Sequence, residues 1–419
     1  MKHFFIIFAA ILALTACQSD GTDEPSDYVL PARRTVIVYM SAENNLTFDS
    51  SSGKYYAQSD IDEMIKGRKS VGADCDLIIF VDRSSQTEKP FIARIRNKAD
   101  QPVDTLYQYP TDFYASDSDH FKEVLQRIIA LSPAKDYGLV FWGHASGWIM
   151  ENDGVDYIRR AYGPDNGDNT TDKRWVDPTR WLNIPTMAKV LKDLNVHFSF
   201  LFFDCCNMQT AEVAYELRNA TDYIIASPAE ITGEGAPYDT LVKDFYIEDG
   251  EQMSIVLCKD YNAQLDYVGG HLPIGAVKTA AMPQLAAATK LILPEVADYL
   301  KADNPTQDMI YYFAYNKRND YEKTMYDMYG IIRAALAEAP EKFSTWEAAF
   351  HKAVFYAEFS AKWHAETVNF NDFTATAEKF GGMSMFFPLE KYKLAVHPYN
   401  DDIKLMQWYQ AVGWSEVGW

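Results

Sequence analysis

Five short, nearly uninterrupted apolar runs constrain the fold most: Thr35–Met40 (TVIVYM), Asp76–Val81 (DLIIFV), Tyr137–Trp142 (YGLVFW), Phe198–Phe203 (FSFLFF) and Tyr223–Ala226 (YIIA). Runs of this length with no polar alternation suit central parallel strands covered on both faces. Amphipathic stretches at about 59–69, 118–132, 185–195, 210–219 and 253–266 separate or follow them, which predicts an α/β domain with a mostly parallel sheet. Asp117-Ser118 and Thr210 offer helix N-cap chemistry for two of these stretches. Phe91–Arg96 and Asp104–Tyr109 alternate more and read as a hairpin at a sheet edge.

Past residue 280 the pattern turns to helical periodicity at 282–301, 324–338 and 345–361, followed by a strand-like Met383-Ser384-Met385-Phe386-Phe387-Pro388. The organisation expected is a core over 35–280 and, over 281–419, a mainly helical extension packed on it with one returning strand. Residues 149–185 are rich in Asp, Asn, Gly and Arg without periodicity and read as a long surface loop. The 419 residues carry 39 Lys+Arg against 59 Asp+Glu, a formal charge of −20. That balance argues against nucleic-acid binding and against a polybasic hold on anionic lipid.

The N-terminus, MKHFFIIFAAILALTAC, places one lysine before an apolar run, Phe4 to Leu14, too short to span a bilayer. Residues 1–16 read as a signal peptide whose end, Leu14-Thr15-Ala16-Cys17, resembles the bacterial lipobox. The resemblance implies lipidation of Cys17, a flexible tether over 17–34, and a lipoprotein of the outer membrane, surface-exposed or periplasmic, touching the membrane through its anchor alone. Cys75, Cys205, Cys206 and Cys258 remain, too sparse for a disulfide scaffold. Adjacent Cys205 and Cys206 are too close for an unstrained bond, since Cα atoms across a trans peptide lie about 3.8 Å apart.

Two runs end in chemistry-bearing residues: Trp142-Gly143-His144-Ala145-Ser146-Gly147-Trp148 and Phe203-Asp204-Cys205-Cys206-Asn207-Met208. Parallel neighbouring strands would bring His144 and Cys206 to one sheet edge, where open α/β sheets place their sites. A histidine there can draw the proton from a thiol. By composition alone a cysteine is as readily a small buried hydrophobe, and a histidine after a strand a turn residue, so both readings stand. Other chemistries lack their motifs. Neither H-E-x-x-H nor C-x-x-C occurs for zinc, and no P-loop is present. Gly143 to Gly147 misses the serine elbow by one residue, which leaves Ser146 to the turn. Asp/Asn clusters at 152–154 and 165–172 fit no EF-hand spacing, so calcium is without support.

Phe141–Trp148 resembles the HG-x-GW segment of clostripain-like cysteine peptidases, and Phe203–Met208 is similar to their Asp-Ala-Cys-x-Met nucleophile segment. Val38–Leu46 resembles the family's opening strand with its D-N-x-L, while Ile225–Pro228 and Gly382–Pro388 match later segments in order. The resemblance covers about 35–390 and implies a caspase-like α/β/α sandwich with a mostly parallel central sheet and a helical C-terminal extension. It also implies a cysteine endopeptidase that needs no cofactor, works as a monomer and acts on proteins or peptides. By position Cys206 is the nucleophile, His144 the general base and acid, and the backbone N–H groups of Ala145 and Cys206 the oxyanion hole. Asp204 resembles the acid of the P1 pocket, favouring cleavage after Arg or Lys, with Glu230 and Glu234 as further acids there. Arg159, Arg160, Lys173 and Arg174 in the long loop are sites at which activating cleavage would occur. Ala145 in place of glycine and Cys205 in place of alanine depart from the pattern, and they keep open an alternative: a silent member acting as a surface binding module.

Overall fold

The computed structural model describes residues 31–85, 87–150, 161–166, 180–263 and 271–419. Cys17, the signal peptide, nearly all of the tether and the basic residues at 159, 160, 173 and 174 lie outside them. The chain from Pro31 onward forms one compact unit.

Its strands are β1 (Arg34–Ala42), β2 (Cys75–Arg83), β3 (Phe91–Ile95), β4 (Val103–Gln108), β5 (Tyr137–Trp142), β6 (Tyr162–Asp165) and β7 (Arg180–Leu182), then β8 (Phe198–Asp204), β9 (Thr221–Ala226), β10 (Ile274–Lys278), β11 (Tyr311–Ala314), β12 (Lys323–Asp327), β13 (Val354–Glu358) and β14 (Ser384–Met385). Nine of them make one sheet in the order β13-β10-β9-β8-β5-β1-β2-β3-β4. The middle five, β9 to β2, are parallel to one another, and antiparallel pairs close both edges. These five are the five apolar runs, and the expected edge hairpin is β3–β4.

Alternate side chains of β1 feed two cores. Ile37 and Tyr39 pack with Phe121, Val124 and Leu125 of the helix Ser118–Leu131, whereas Val36, Val38 and Met40 pack with Ile61 and Met64 of Tyr56–Gly67. Burial on both faces explains why the strands carry no polar alternation. The predicted caps form: Asp117 accepts from the Asp119 and His120 N–H groups, and Thr210 Oγ1 from Val213 N–H.

The region past 280 contains more strand than its periodicity predicts. Residues 324–338 divide into β12 and a helix over Met328–Ala335, and 345–361 divide into the end of a helix, Pro340–Ala353, and β13. In place of one returning strand, β14 pairs with β12 and β12 with β11 in a small separate sheet, while β13 extends the main one. Val354-Phe355-Tyr356 is β-branched and aromatic, and the open edge of β10 supplies the pairing that propensity alone does not.

This region is tied to the core through Glu212, fully buried, whose Oε1 accepts from Phe386 N–H at 2.8 Å. Burial, only partly offset by that bond, pushes its carboxyl up to about 7. Unfolded, the same group titrates near 4.3. Between these values the folded chain holds a proton that the unfolded chain has lost. Stability from this group is therefore full below about 4 and falls as pH rises to about 7, a change on the order of 3 kcal/mol. Glu212→Gln should flatten this slope in urea unfolding compared at pH 5 and pH 7.5. An unchanged slope would assign the dependence to other groups.

Candidate active site

His144 follows β5 and Cys206 follows β8, and these strands are parallel neighbours paired in register from Gly138 and Phe200 to Trp142 and Asp204. Both residues line one cleft of ≈ 520 Å³ at the C-terminal edge of the sheet. Gly147 shows why the histidine loop carries glycine. Its φ is +61°, and a Cβ there would stand 2.7 Å from the backbone oxygen of Asn207, so the two loops touch backbone to backbone. Asn207 is itself left-handed (φ 60°), a conformation asparagine tolerates, and its amide donates to the carbonyls of Pro228 and Tyr312. Trp148 is wholly buried against Phe386 and Tyr399, which anchors the histidine loop to the C-terminal region.

Ala145 is buried and does not adopt positive φ, so alanine in place of glycine brings no strain. Of the four described cysteines none forms a disulfide; Cys75, Cys205 and Cys258 are buried, and Cys206 alone is partly exposed. Burial raises the thiols of Cys75, Cys205 and Cys258, which makes them poor nucleophiles. Cys206 Sγ accepts from Ile231 N–H at 3.4 Å and donates to Ile231 O at 3.8 Å. His144 Nε2 lies 2.9 Å from Asn45 Oδ1.

Beside Cys206 the cleft narrows into an extension of ≈ 60 Å³ that reaches Asp204 between Trp142, Thr232, Gly233 and Gly235. Gly235 has φ +60°, and a Cβ there would stand 2.9 Å from Asp204 Oδ2, so glycine lets the wall close on the carboxylate. Asp204 is 3% exposed and accepts from Tyr238 OH at 2.9 Å and Tyr261 OH at 3.3 Å. Burial raises its carboxyl to about 6 against the pull of bonds from Ala236 N–H and the two tyrosines, which leaves it mostly ionised at neutral pH.

The other two acids do different work. Glu230 is half-buried, and its Oε2 accepts from Glu366 and Thr367 N–H at 2.8 and 3.1 Å; it pins a C-terminal segment that walls the cleft. Glu234 stands at the rim in an exposed ion pair with Lys54. Burial lifts the Glu234 carboxyl, but the Lys54 ammonium outweighs that and holds it below its ordinary range.

Two features escaped the sequence reading. Asp60, on the buried face of its helix, accepts from Trp142 Nε1 at 2.5 Å; burial and then the Asp204 charge raise its carboxyl well above the usual range. Its only sequence signal is a carboxylate on an apolar helix face. The second is a buried group of carboxylates, Glu43, Asp82 and Asp165, with oxygens within 4.8 Å of one another. Burial and then its acidic neighbours push Asp82 strongly toward the protonated form.

Comparison with known proteins bears on the family and the fold. The C11 peptidase, clostripain-family model matches residues 38–419. A secreted C11 cysteine protease from Bacteroides thetaiotaomicron, solved with an irreversible peptide inhibitor, superposes with a TM-score of 0.73 at 25% identity, covering 92% of this chain and 100% of that one. An inactive zymogen C11 protease from Parabacteroides distasonis shares the fold with a TM-score of 0.69 at 23% identity, covering 92% and 99%. Among curated proteins no sequence matches. With the parallel central strands of its mixed sheet, its paired strand ends and a family match over nearly its whole length, the chain belongs to the clostripain family of cysteine endopeptidases.

Proposed function

We propose that Cys206 and His144 hydrolyse peptide bonds after Arg or Lys. The observation that carries this is their meeting in one cleft, with Cys206 the sole partly exposed cysteine among those described. The thiol proton passes to His144 and the thiolate attacks the carbonyl carbon. The oxyanion is received by the backbone N–H groups of Ala145 and Cys206, donors that contribute about 2.7–4 kcal/mol each in comparable enzymes. His144 returns the proton to the leaving amine as the C–N bond breaks. Water, deprotonated by His144, then hydrolyses the thioester and restores the thiol.

Asp204, in the narrow extension, is the partner for a cationic P1 side chain, with Glu234 on the wall of the main cleft once Lys54 gives way. Glu230 serves as an indirect support of the wall. Lipidation of Cys17 would hold the enzyme on the bacterial outer membrane as a monomer; among the described residues no helix is long and apolar enough to cross a membrane.

A panel of peptides with Arg, Lys, Asn or Asp before a reporter amide tests this reading. Release is expected after Arg and Lys. In parallel, iodoacetamide should modify Cys206 faster than Cys75, Cys205 or Cys258 near neutral pH, and His144→Ala should slow it. No cleavage of any peptide by intact or trypsin-nicked protein, with Cys206 reacting like an ordinary thiol, would instead favour a binding module.

A further inference from the structure

The geometry points to Asn45 as a positioning residue that fixes the tautomer of His144 and supports its charged form, an inference resting on the Cys206/His144 reading. The contact is Asn45 Oδ1 to His144 Nε2 at 2.9 Å. A carboxamide oxygen only accepts, so Nε2 carries the proton. In the neutral ring the lone pair then sits on Nδ1, which leaves Nδ1 as the nitrogen to take the thiol proton in this proposal. Once it has, the ring is an imidazolium and a stronger donor. The Asn45 bond strengthens at the step that forms the thiolate.

The turn carrying Asn45 is braced in a way that aims its side chain. Asn44 Nδ2 donates to Ser41 O at 3.1 Å and Pro164 O at 2.9 Å, and Asn44 Oδ1 accepts from Leu46 N–H at 2.9 Å. Thr47 Oγ1 returns to Ala42 O at 2.6 Å, and Ala57 N–H reaches Leu46 O at 3.1 Å. On the other side Gly163 N–H holds the His144 carbonyl at 2.9 Å. Both partners of the bond therefore sit on backbone fixed by other residues. Asn44 serves the fold, and Asn45 is directed at the histidine.

Other titrating groups face the same cleft. Asp49, Tyr56, Glu230, Glu234, His364 and Glu366 line the cleft, Glu234 paired with Lys54, and Asp204 lines the narrower pocket beside it. All are retained when Asn45 alone is changed, so a difference between variants reports the Asn45 bond.

The experiment follows Cys206 alkylation by iodoacetamide across pH 4–10, read by mass spectrometry, together with kcat, KM and melting temperature for wild type, Asn45→Ala and Asn45→Asp. Asn45→Ala should move the thiol's apparent pKa up by about one unit and lower kcat roughly 10- to 100-fold, with KM little changed. Asn45→Asp restores the acceptor and adds charge; the imidazolium should persist to higher pH and the basic limb of kcat/KM should shift upward. An alkylation profile for Asn45→Ala that superimposes on wild type overturns the inference, whatever happens to its melting temperature. Should Asn45→Ala fail to fold, an Asn45→Asp profile unmoved from wild type overturns it equally. A wild-type Cys206 that titrates as an ordinary thiol, indifferent to His144→Ala, fails the catalytic reading itself and is distinguishable from both.

Discussion

Replacing Cys206 by alanine is expected to lower kcat by roughly 10⁴-fold or more, the scale on which a covalent catalyst loses its nucleophile. Substrate binding should persist, because alanine leaves the walls of the cleft in place. Cys205 cannot stand in: it is fully buried, and burial raises its thiol far above the reactive range. The same pair of proteins reports on maturation. If the chain activates itself, purified wild type breaks at Arg159, Arg160, Lys173 or Arg174 while Cys206→Ala stays whole. Equal fragmentation of both would assign the cut to another protease. Peptide cleavage by Cys206→Ala at the wild-type rate would remove the nucleophile assignment altogether.

Asp204→Asn should reduce kcat/KM for Arg and Lys peptides by roughly 10²- to 10³-fold, the usual effect of removing one partner from a desolvated charge pair. Peptides with a neutral P1 residue should change much less. The asparagine keeps the volume and can still meet Tyr238 and Tyr261, so the loss isolates the charge. Wild type contains its own control. The Asp204 carboxyl titrates at about 6, protonated below and ionised above. The ratio of kcat/KM for Arg over neutral peptides should fall as pH drops through about 6 and level off above it. Taking a ratio cancels the titration of Cys206 and His144, which acts on every substrate alike. A ratio that Asp204→Asn leaves untouched would move the selectivity elsewhere, first to Glu234.

How much of this was legible follows from where the information lies. The sheet could be read because its central strands are buried on both faces and so are written as apolar runs. That His144 and Cys206 share one sheet edge could be read because each lies within three residues of the end of such a run. The helical periodicity of 324–338 and 345–361 holds only in part, over Met328–Ala335 and up to Ala353, because it continues across strands β12 and β13, whose pairing partners lie elsewhere in the chain. Within the site the limit was distance along the chain. Asn45 and His144 are 99 residues apart, and Glu230 reaches Glu366 and Thr367 across 136 and 137. No local pattern records contacts of that span. Asp60 left a trace, a carboxylate at an inward helix position, but its meaning depends on Trp142 and Asp204.

The seat of Trp148 has a consequence for how the enzyme comes into being. Its indole packs on Phe386 and Tyr399, residues made long after it. A growing chain that has already produced His144 and Cys206 still lacks the surface on which the histidine loop rests. Long-range contacts of this kind form late, after much chain has been ordered. The order of synthesis thus delays the assembly of the cleft, and a truncated product ending before these residues would carry His144 and Cys206 without the frame that brings them together.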